Sequence, residues 1–270
     1  MPEFQCGGVD LHYESHGSGP ATVILLHGLG SRGEDWLLQF PALSARWRVL
    51  APDLRGHGAS SLSGGWPTVA DLAQDVTGLI RAEAPWPAHV VGLSLGGAVA
   101  LQLALDHPEL LRSLTAVNTF AHLRSGWSGL RRGLIRFALL ALGPMNWVGR
   151  WVASGLFPLP DQQLLREAAA SRIAGNPRRA YLQAALAVVR FDVAARLGEI
   201  TCPTLVVAGD RDATVPMKAK LELARCIPGA HLEVVSGSGH ATPLDAPDAF
   251  NELLLRFLSE VDAAPQGARA

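Results

Sequence analysis

The sequence predicts an α/β protein with a mostly parallel central sheet covered by helices, and three observations predict it. Apolar runs of strand length alternate with segments of helix length. Several of those runs are nearly continuous in apolar residues, as strands buried on both faces must be. One long stretch, residues 122 to about 198, holds no convincing strand and reads as helices inserted into the alternation.

Taken in order, FQCGG and VDLHYES read as a short hairpin leading into the sheet. ATVILLHG (21–28) is the first buried strand, followed by a helical candidate over 34–45. WRVLAPDL (47–54) precedes a helix over 69–83. AHVVGLSL (88–95) precedes a helix over 96–106, and LRSLTAVN (111–118) leads into the insertion. That insertion is rich in Leu, Ala, Trp and Arg and is punctuated by Gly143-Pro144, Pro158, Pro160 and Pro177. Beyond it, TLVVAGD (204–210) and HLEVVSG (231–237) are strands, with helices expected over 216–226 and 246–260. The final APQGARA is expected to fray. No internal repeat is visible.

Composition narrows the function. Of 270 residues, 49% are hydrophobic and 17% charged, which supports a sizeable core and argues against disorder. The net charge of -1 suggests no nucleic-acid partner. MPEFQCGGVD shows no secretory signal, so a cytoplasmic location is expected. FALLALGPMNWVG, residues 137 to 149, is too short to span a bilayer, so no membrane insertion is expected. Cys6, Cys202 and Cys226 are widely spaced and odd in number, which reads as buried free thiols. No His, Asp and Glu grouping has metal-ligand spacing, so no metal is expected.

Two glycine-rich motifs compete for the chemistry. Gly28, Gly30 and Gly33 match G-x-G-x-x-G after a strand, and Asp53 stands where a dinucleotide-binding fold would put its ribose acid. Against that, Glu34 and Asp35 fall in the first turn of the following helix. Carboxylates there stabilise a helix N-terminus but repel a pyrophosphate. The second motif is Gly92-Leu93-Ser94-Leu95-Gly96, a G-x-S-x-G between a strand and a helix. Such a turn exposes a serine hydroxyl above the sheet edge and aims the following N–H at an oxygen that gains negative charge. A serine needs a base, and a cationic base needs a carboxylate. His240, in SGSGHATP, is the best-placed base. GDRDATVP offers Asp210 and Asp212 as the acid. The chain order is Ser, Asp, His.

Through HGLG (27–30), DLRGHGAS (53–60), GLSLGG (92–97), GDRDATVP (209–216) and GSGH (237–240), nearly the whole chain resembles the α/β-hydrolase superfamily. The resemblance implies Ser94 as nucleophile, Asp212 as acid and His240 as base. Asp212 is preferred because the family pattern reads G-x-x-D before a hydrophobic-Pro pair, here Val215-Pro216. Asp210 would then bond loop N–H groups. Some relatives carry the acid after the sixth strand, but here that strand ends in VNTF, with Asn118 and no carboxylate. The backbone N–H groups of Leu29 and Leu95 would form the oxyanion hole, beside Gly28, and no cofactor is implied. His27 and His57 are expected to brace loops, and His89, His107 and His231 to lie at the surface.

The resemblance also makes residues 122–198 a cap over a core of 1–121 and 199–262, with 263–270 a flexible tail. The cap's apolar residues include Leu134, Phe137, Leu140, Trp147, Trp151, Leu156 and Phe157. Of these, Phe137, Trp147 and Trp151 are the candidates to line a substrate pocket. Arg124, Arg131, Arg132 and Arg136 make the start of the cap basic, a solvated face by default. A capped, dry pocket favours small to medium hydrophobic esters or lactones. The expected activity is a serine carboxylic-ester hydrolase, with enol-lactonase or acyl-homoserine-lactonase activity as the alternative. Cofactor-free haloperoxidases, carbon–carbon hydrolases and small-molecule receptors of this fold keep the same triad. Ser94 disfavours dehalogenases and epoxide hydrolases, which attack with aspartate. The expected assembly is a monomer or homodimer.

Overall fold

The computed structural model describes residues 3–123 and 143–264. β1 (Glu3–Cys6) and β2 (Val9–His16) form the antiparallel hairpin expected at the start, and β2 pairs antiparallel with β4 (Arg48–Pro52). The other strands are β3 (Thr22–Leu26), β5 (Ala88–Leu93), β6 (Leu111–Val117), β7 (Thr204–Gly209) and β8 (His231–Val235). They join β4 in parallel register, and the sheet order is β1-β2-β4-β3-β5-β6-β7-β8.

Continuous apolar runs have a direct cause here. Successive side chains of a strand point to opposite faces, and both faces are covered. Ile24 and Leu26 of β3 pack into one core with Leu50, Val90, Leu114 and Val206. Val23 and Leu25 pack into the other with Val49, Val91, Val117 and Val207.

The described helices are α1 (Phe40–Ser44), α2 (Val69–Glu83), α3 (Leu95–Asp106), α4 (Met145–Leu156), α5 (Gln163–Ala174), α6 (Arg178–Arg190), α7 (Met217–Cys226), α8 (Thr242–Asp245) and α9 (Pro247–Ala263). α2, α3 and α7 cover the first core; α1 and α9 cover the second. α2 starts where a capping box forms: Thr68 Oγ1 accepts from the Asp71 N–H at 3.2 Å, and Asp71 Oδ2 accepts from the Thr68 N–H at 2.7 Å. The single helix expected over 34–45 is instead a 3-10 turn, Gly33–Trp36, followed by α1. Pro41 in the first turn of α1 has no N–H to continue a helix from upstream.

Between β6 and β7 lie α4, α5 and α6, with a small core of their own around Val148, Ile173 and Tyr181. A side chain at Gly149 would collide with the Ala170 carbonyl, so α4 and α5 pack backbone to backbone there. The segment leaves and rejoins the sheet at one place. The Val193 N–H donates to the Ala121 carbonyl at 2.9 Å, and His122 and Asp192 form an isolated antiparallel bridge. Arg124, Arg131, Arg132, Leu134, Arg136, Phe137 and Leu140 lie outside the described residues. Among the described residues, no helix is long and apolar enough to cross a membrane.

Two surface and core expectations are corrected. His89 is fully buried, because its β5 position lies beneath α9: Nδ1 meets Ser113 Oγ at 2.7 Å and Nε2 meets Asp262 Oδ1 at 3.2 Å. Cys226 is exposed at the end of α7, and Cys202 is half-buried.

Candidate functional site

Ser94 occupies the turn between β5 and α3 with φ 54° and ψ -111°, a left-handed conformation that L-residues avoid. The turn is possible because its neighbours lack side chains. A Cβ on Gly92 would strike the Gly96 carbonyl, and one on Gly96 would strike the Leu26 carbonyl. The Ser94 N–H donates to the Val117 carbonyl at 3.0 Å, and Thr119 Oγ1 donates to the Ser94 carbonyl at 2.7 Å. The strain is thus held from both sides.

Asp212 and His240 meet across two loops at the carboxyl ends of β7 and β8. His240 Nδ1 lies 3.0 Å from Asp212 Oδ2. Asp212 Oδ1 accepts the N–H groups of Thr214 at 2.8 Å and Val215 at 3.0 Å. Lys220 of α7, fully buried, donates to Asp212 Oδ2 and to the Val215 carbonyl, both at 2.6 Å. Burial opposes a charged Asp212, but the charge and hydrogen bond of His240, then of Lys220, outweigh it and hold its pKa at about 2. Burial pushes the Lys220 ammonium below its ordinary range, with Asp212 pulling the other way. Asp210 does what was expected of it: Oδ1 accepts the Gly237 N–H at 2.8 Å, away from His240.

Sequence reasoning missed two residues of this arrangement. One is Lys220, a lysine in MKAKLELARC that the motifs did not single out. The signal was its spacing: with Leu223 of α7 and Ile227 just past its end, it continues one inward stripe. The other is Asn118, with φ 43° at the end of β6. Its Oδ1 accepts the Gly209 N–H at 2.9 Å. Its Nδ2 donates to the carbonyls of Gly239 at 3.2 Å and His240 at 2.9 Å, and to Thr242 Oγ1 at 2.8 Å. One buried amide therefore ties the Asp212 loop to the His240 loop.

The HGLG loop lies beside Ser94, where a Cβ on Gly28 would approach Ser94 Cβ at 3.6 Å. His27 braces it as expected. Nδ1 bonds the Gly28 carbonyl at 2.8 Å and Nε2 accepts the Leu54 N–H at 2.9 Å, which requires the neutral ring. His57 lies edge-on to His27 with centroids 5.1 Å apart, and Nδ1 lies 3.2 Å from the Arg55 carbonyl. Asp53 is no ribose clamp: it is buried and saturated by the N–H groups of Gly33 at 2.7 Å and Ala59 at 2.8 Å and by His12 Nδ1 at 3.1 Å. Glu34 and Asp35 are also engaged, with Arg172 Nη2 at 3.1 and 2.9 Å.

One cavity brings Ser94, Asp212, His240, Gly28, Leu29 and Trp151 together. The helices after β6 form its far wall, where Ile173, Leu182 and Leu186 face it. Leu95 is buried at the first turn of α3, directly after Ser94. Trp147 is outside the lining and 52% exposed. α4 turns Val148, Gly149 and Ala153 inward, which leaves Trp147 on the solvent side of its first turn. Phe137 lies outside the described residues. Among those residues, no group of three or more His, Cys, Asp or Glu side chains could hold a metal ion.

Residues 21–247 match the family model for the alpha/beta hydrolase fold. The chain belongs to the α/β-hydrolase family. It is 35% identical over 97% of its length to the whole of a protein named "Putative carbamate hydrolase RutD" in Azorhizobium caulinodans. Among solved structures, a hydrolase from Pseudomonas aeruginosa PA01 superposes with a TM-score of 0.87 at 31% identity, over 95% of this chain and 97% of that one. The enol-lactonase from Burkholderia xenovorans LB400 superposes with a TM-score of 0.89 at 26% identity, over 96% of this chain and all of that one.

Proposed function

We propose that this α/β hydrolase is a serine enzyme that cleaves carboxylic esters of small to medium hydrophobic acyl and alkyl groups. The observation that carries the reading is the His240–Asp212 contact, which opens on the same cavity as the strained Ser94. With Nδ1–H donated to Asp212, His240 keeps Nε2 as the acceptor for the serine proton. Ser94 Oγ attacks the acyl carbon, His240 takes its proton, and the same proton leaves with the alcohol. Water activated by His240 then releases the acid from the acyl-enzyme. The N–H groups of Leu29 and Leu95 stabilise the oxyanion, and Gly28 leaves room for the substrate beside them. Residues 122–198 act as the cap, whose apolar wall with Trp151 takes the hydrocarbon part of the substrate. The ligand is a small molecule, and no metal or cofactor takes part in this mechanism.

The whole-length likeness to a relative named for carbamate hydrolysis, and the fold likeness to an enol-lactonase, favour a second reading. In it the acyl carbon belongs to a carbamate or a lactone, and the same three side chains act in the same order. Parallel hydrolysis of p-nitrophenyl butyrate by the wild type and by Ser94→Ala tests the common mechanism. A loss of about a thousandfold or more in the variant is expected. Panels of esters, lactones and carbamates then rank the substrates. Absence of turnover on every one of them in the wild type moves the receptor and carbon–carbon readings forward.

A further inference from the structure

The site holds a buried cation that the three-residue mechanism does not use. Lys220 and His240 both contact one oxygen, Asp212 Oδ2, at 2.6 and 3.0 Å, so their nitrogens lie within about 6 Å of each other. A single carboxylate thus faces two groups that can carry positive charge. We propose that Lys220 is a positioning residue of this site: its ammonium locks the Asp212 carboxylate in place and, by competing for that carboxylate, makes His240 a weaker base than one facing an unshared acid. The proposal rests on the serine-hydrolase reading for its kinetic consequence, but the charge coupling itself does not need turnover.

The charge argument is local. Each of the four N–H groups that Asp212 accepts is placed: Thr214 and Val215 occupy Oδ1, and Lys220 and His240 occupy Oδ2. When His240 takes the serine proton, two cations share one anion. Their repulsion at this range, in a water-poor site, is opposed by only one full negative charge. Charged groups on the elements packed against α7 are engaged elsewhere or face solvent. Arg196 pairs with Asp106 and Glu199, Glu233 pairs with Arg256, and His231 is exposed on β8. On α7 itself, Glu222 pairs with His122, while Lys218 and Arg225 are exposed. On the His240 side, Asp245 is held by Ser238 and the Gly239 N–H, and Asp210 by the Gly237 N–H.

The test compares wild type with Lys220→Met, which keeps the length and apolar stem but removes the charge, and with Lys220→Gln, which also keeps a donor. Two readouts are used between pH 5 and 9. One is kcat/KM for p-nitrophenyl butyrate. The other is the NMR titration of the His240 ring in resting protein, assigned with His240→Gln. Loss of the cation favours the imidazolium, so the acid limb of the rate and the ring titration both move to higher pH, by about one unit. A lower rate with an unmoved limb and an unmoved titration would show that Lys220 only supports the loop, and overturns the proposal. If neither variant folds, the wild type decides: the Lys220 Nζ resonance must remain that of an ammonium through the titration of His240, and a neutral amine there overturns the proposal. Absent ester turnover with a shifted ring titration instead rejects the hydrolase reading and leaves the coupling standing.

Discussion

Asn118 shows how much one side chain can decide. Its amide supplies an acceptor to the Asp212 loop and donors to the His240 loop, and its backbone takes the left-handed conformation that Asn tolerates better than most residues. Asn118→Ala leaves four buried polar groups without that partner and adds strain at φ 43°. We expect a loss of about 3 kcal/mol in urea unfolding and a fall of about tenfold in kcat with little change in KM. An unaltered kcat would mean that the two loops hold their own positions. In the sequence, Asn118 announced only that no carboxylate ended this strand. Ser94 and His240 were legible because glycine-rich turns at strand ends have few structural reasons to carry them. Lys220 was not, because a lysine on a short amphipathic helix reads as a solvated charge until the carboxylate opposite it is known.

Among the elements, strands were read to within about two residues at each end, since a sheet covered on both faces demands uninterrupted apolar runs. The helix of 69–83 was equally legible, while Pro41 broke the one expected over 34–45. The packing of α4, α5 and α6 onto the HGLG loop was not. Gly30 has φ 80°, and a Cβ there would approach Tyr181 Cε2 at 2.8 Å; Asn176 Nδ2 donates to the Gly30 carbonyl at 2.9 Å. The loop that carries the Leu29 N–H is therefore clamped between the sheet and α6. Gly30→Ala is expected to push this loop off Tyr181 and to lower kcat/KM about a hundredfold, while the protein still melts cooperatively. Wild-type kinetics in this variant would refute the clamp.

For the molecule as a whole, buried histidines set the response to acid. Burial lowers the pKa of His27 and takes that of His57 to about 3. Below about pH 6.5 the unfolded chain binds a proton at each of these rings more readily than the folded protein does, and at His57 the folded protein takes it up only near pH 3. Stability is therefore full above that pH and declines as pH falls toward 3. The slope is about 1.4 kcal/mol per pH unit for His57, or about 2 kcal/mol at pH 5. Asp212 works in a lower window: its depressed pKa adds stability above about pH 4 that is lost as pH falls toward 2. Urea unfolding at pH 7.5 and 5.0 measures the first effect, and His57→Gln should flatten the decline. Equal slopes in the two proteins would place the proton uptake elsewhere.

The chain's own pattern of apolar runs, glycine turns and the order Ser, Asp, His determined the fold class and the family, because these are local or periodic features of the backbone. Tertiary structure alone decided which partners the polar groups found. Asp53 went to loop N–H groups, not to a ribose, and His89 went beneath α9, not to the surface. Trp147 turned to solvent and Trp151 to the cavity, and Lys220 turned inward to Asp212. A buried polar group is worth its burial only when a specific donor or acceptor meets it, and those partners, from 6 to 173 residues away in the chain, are brought to it by the folded loops and helices.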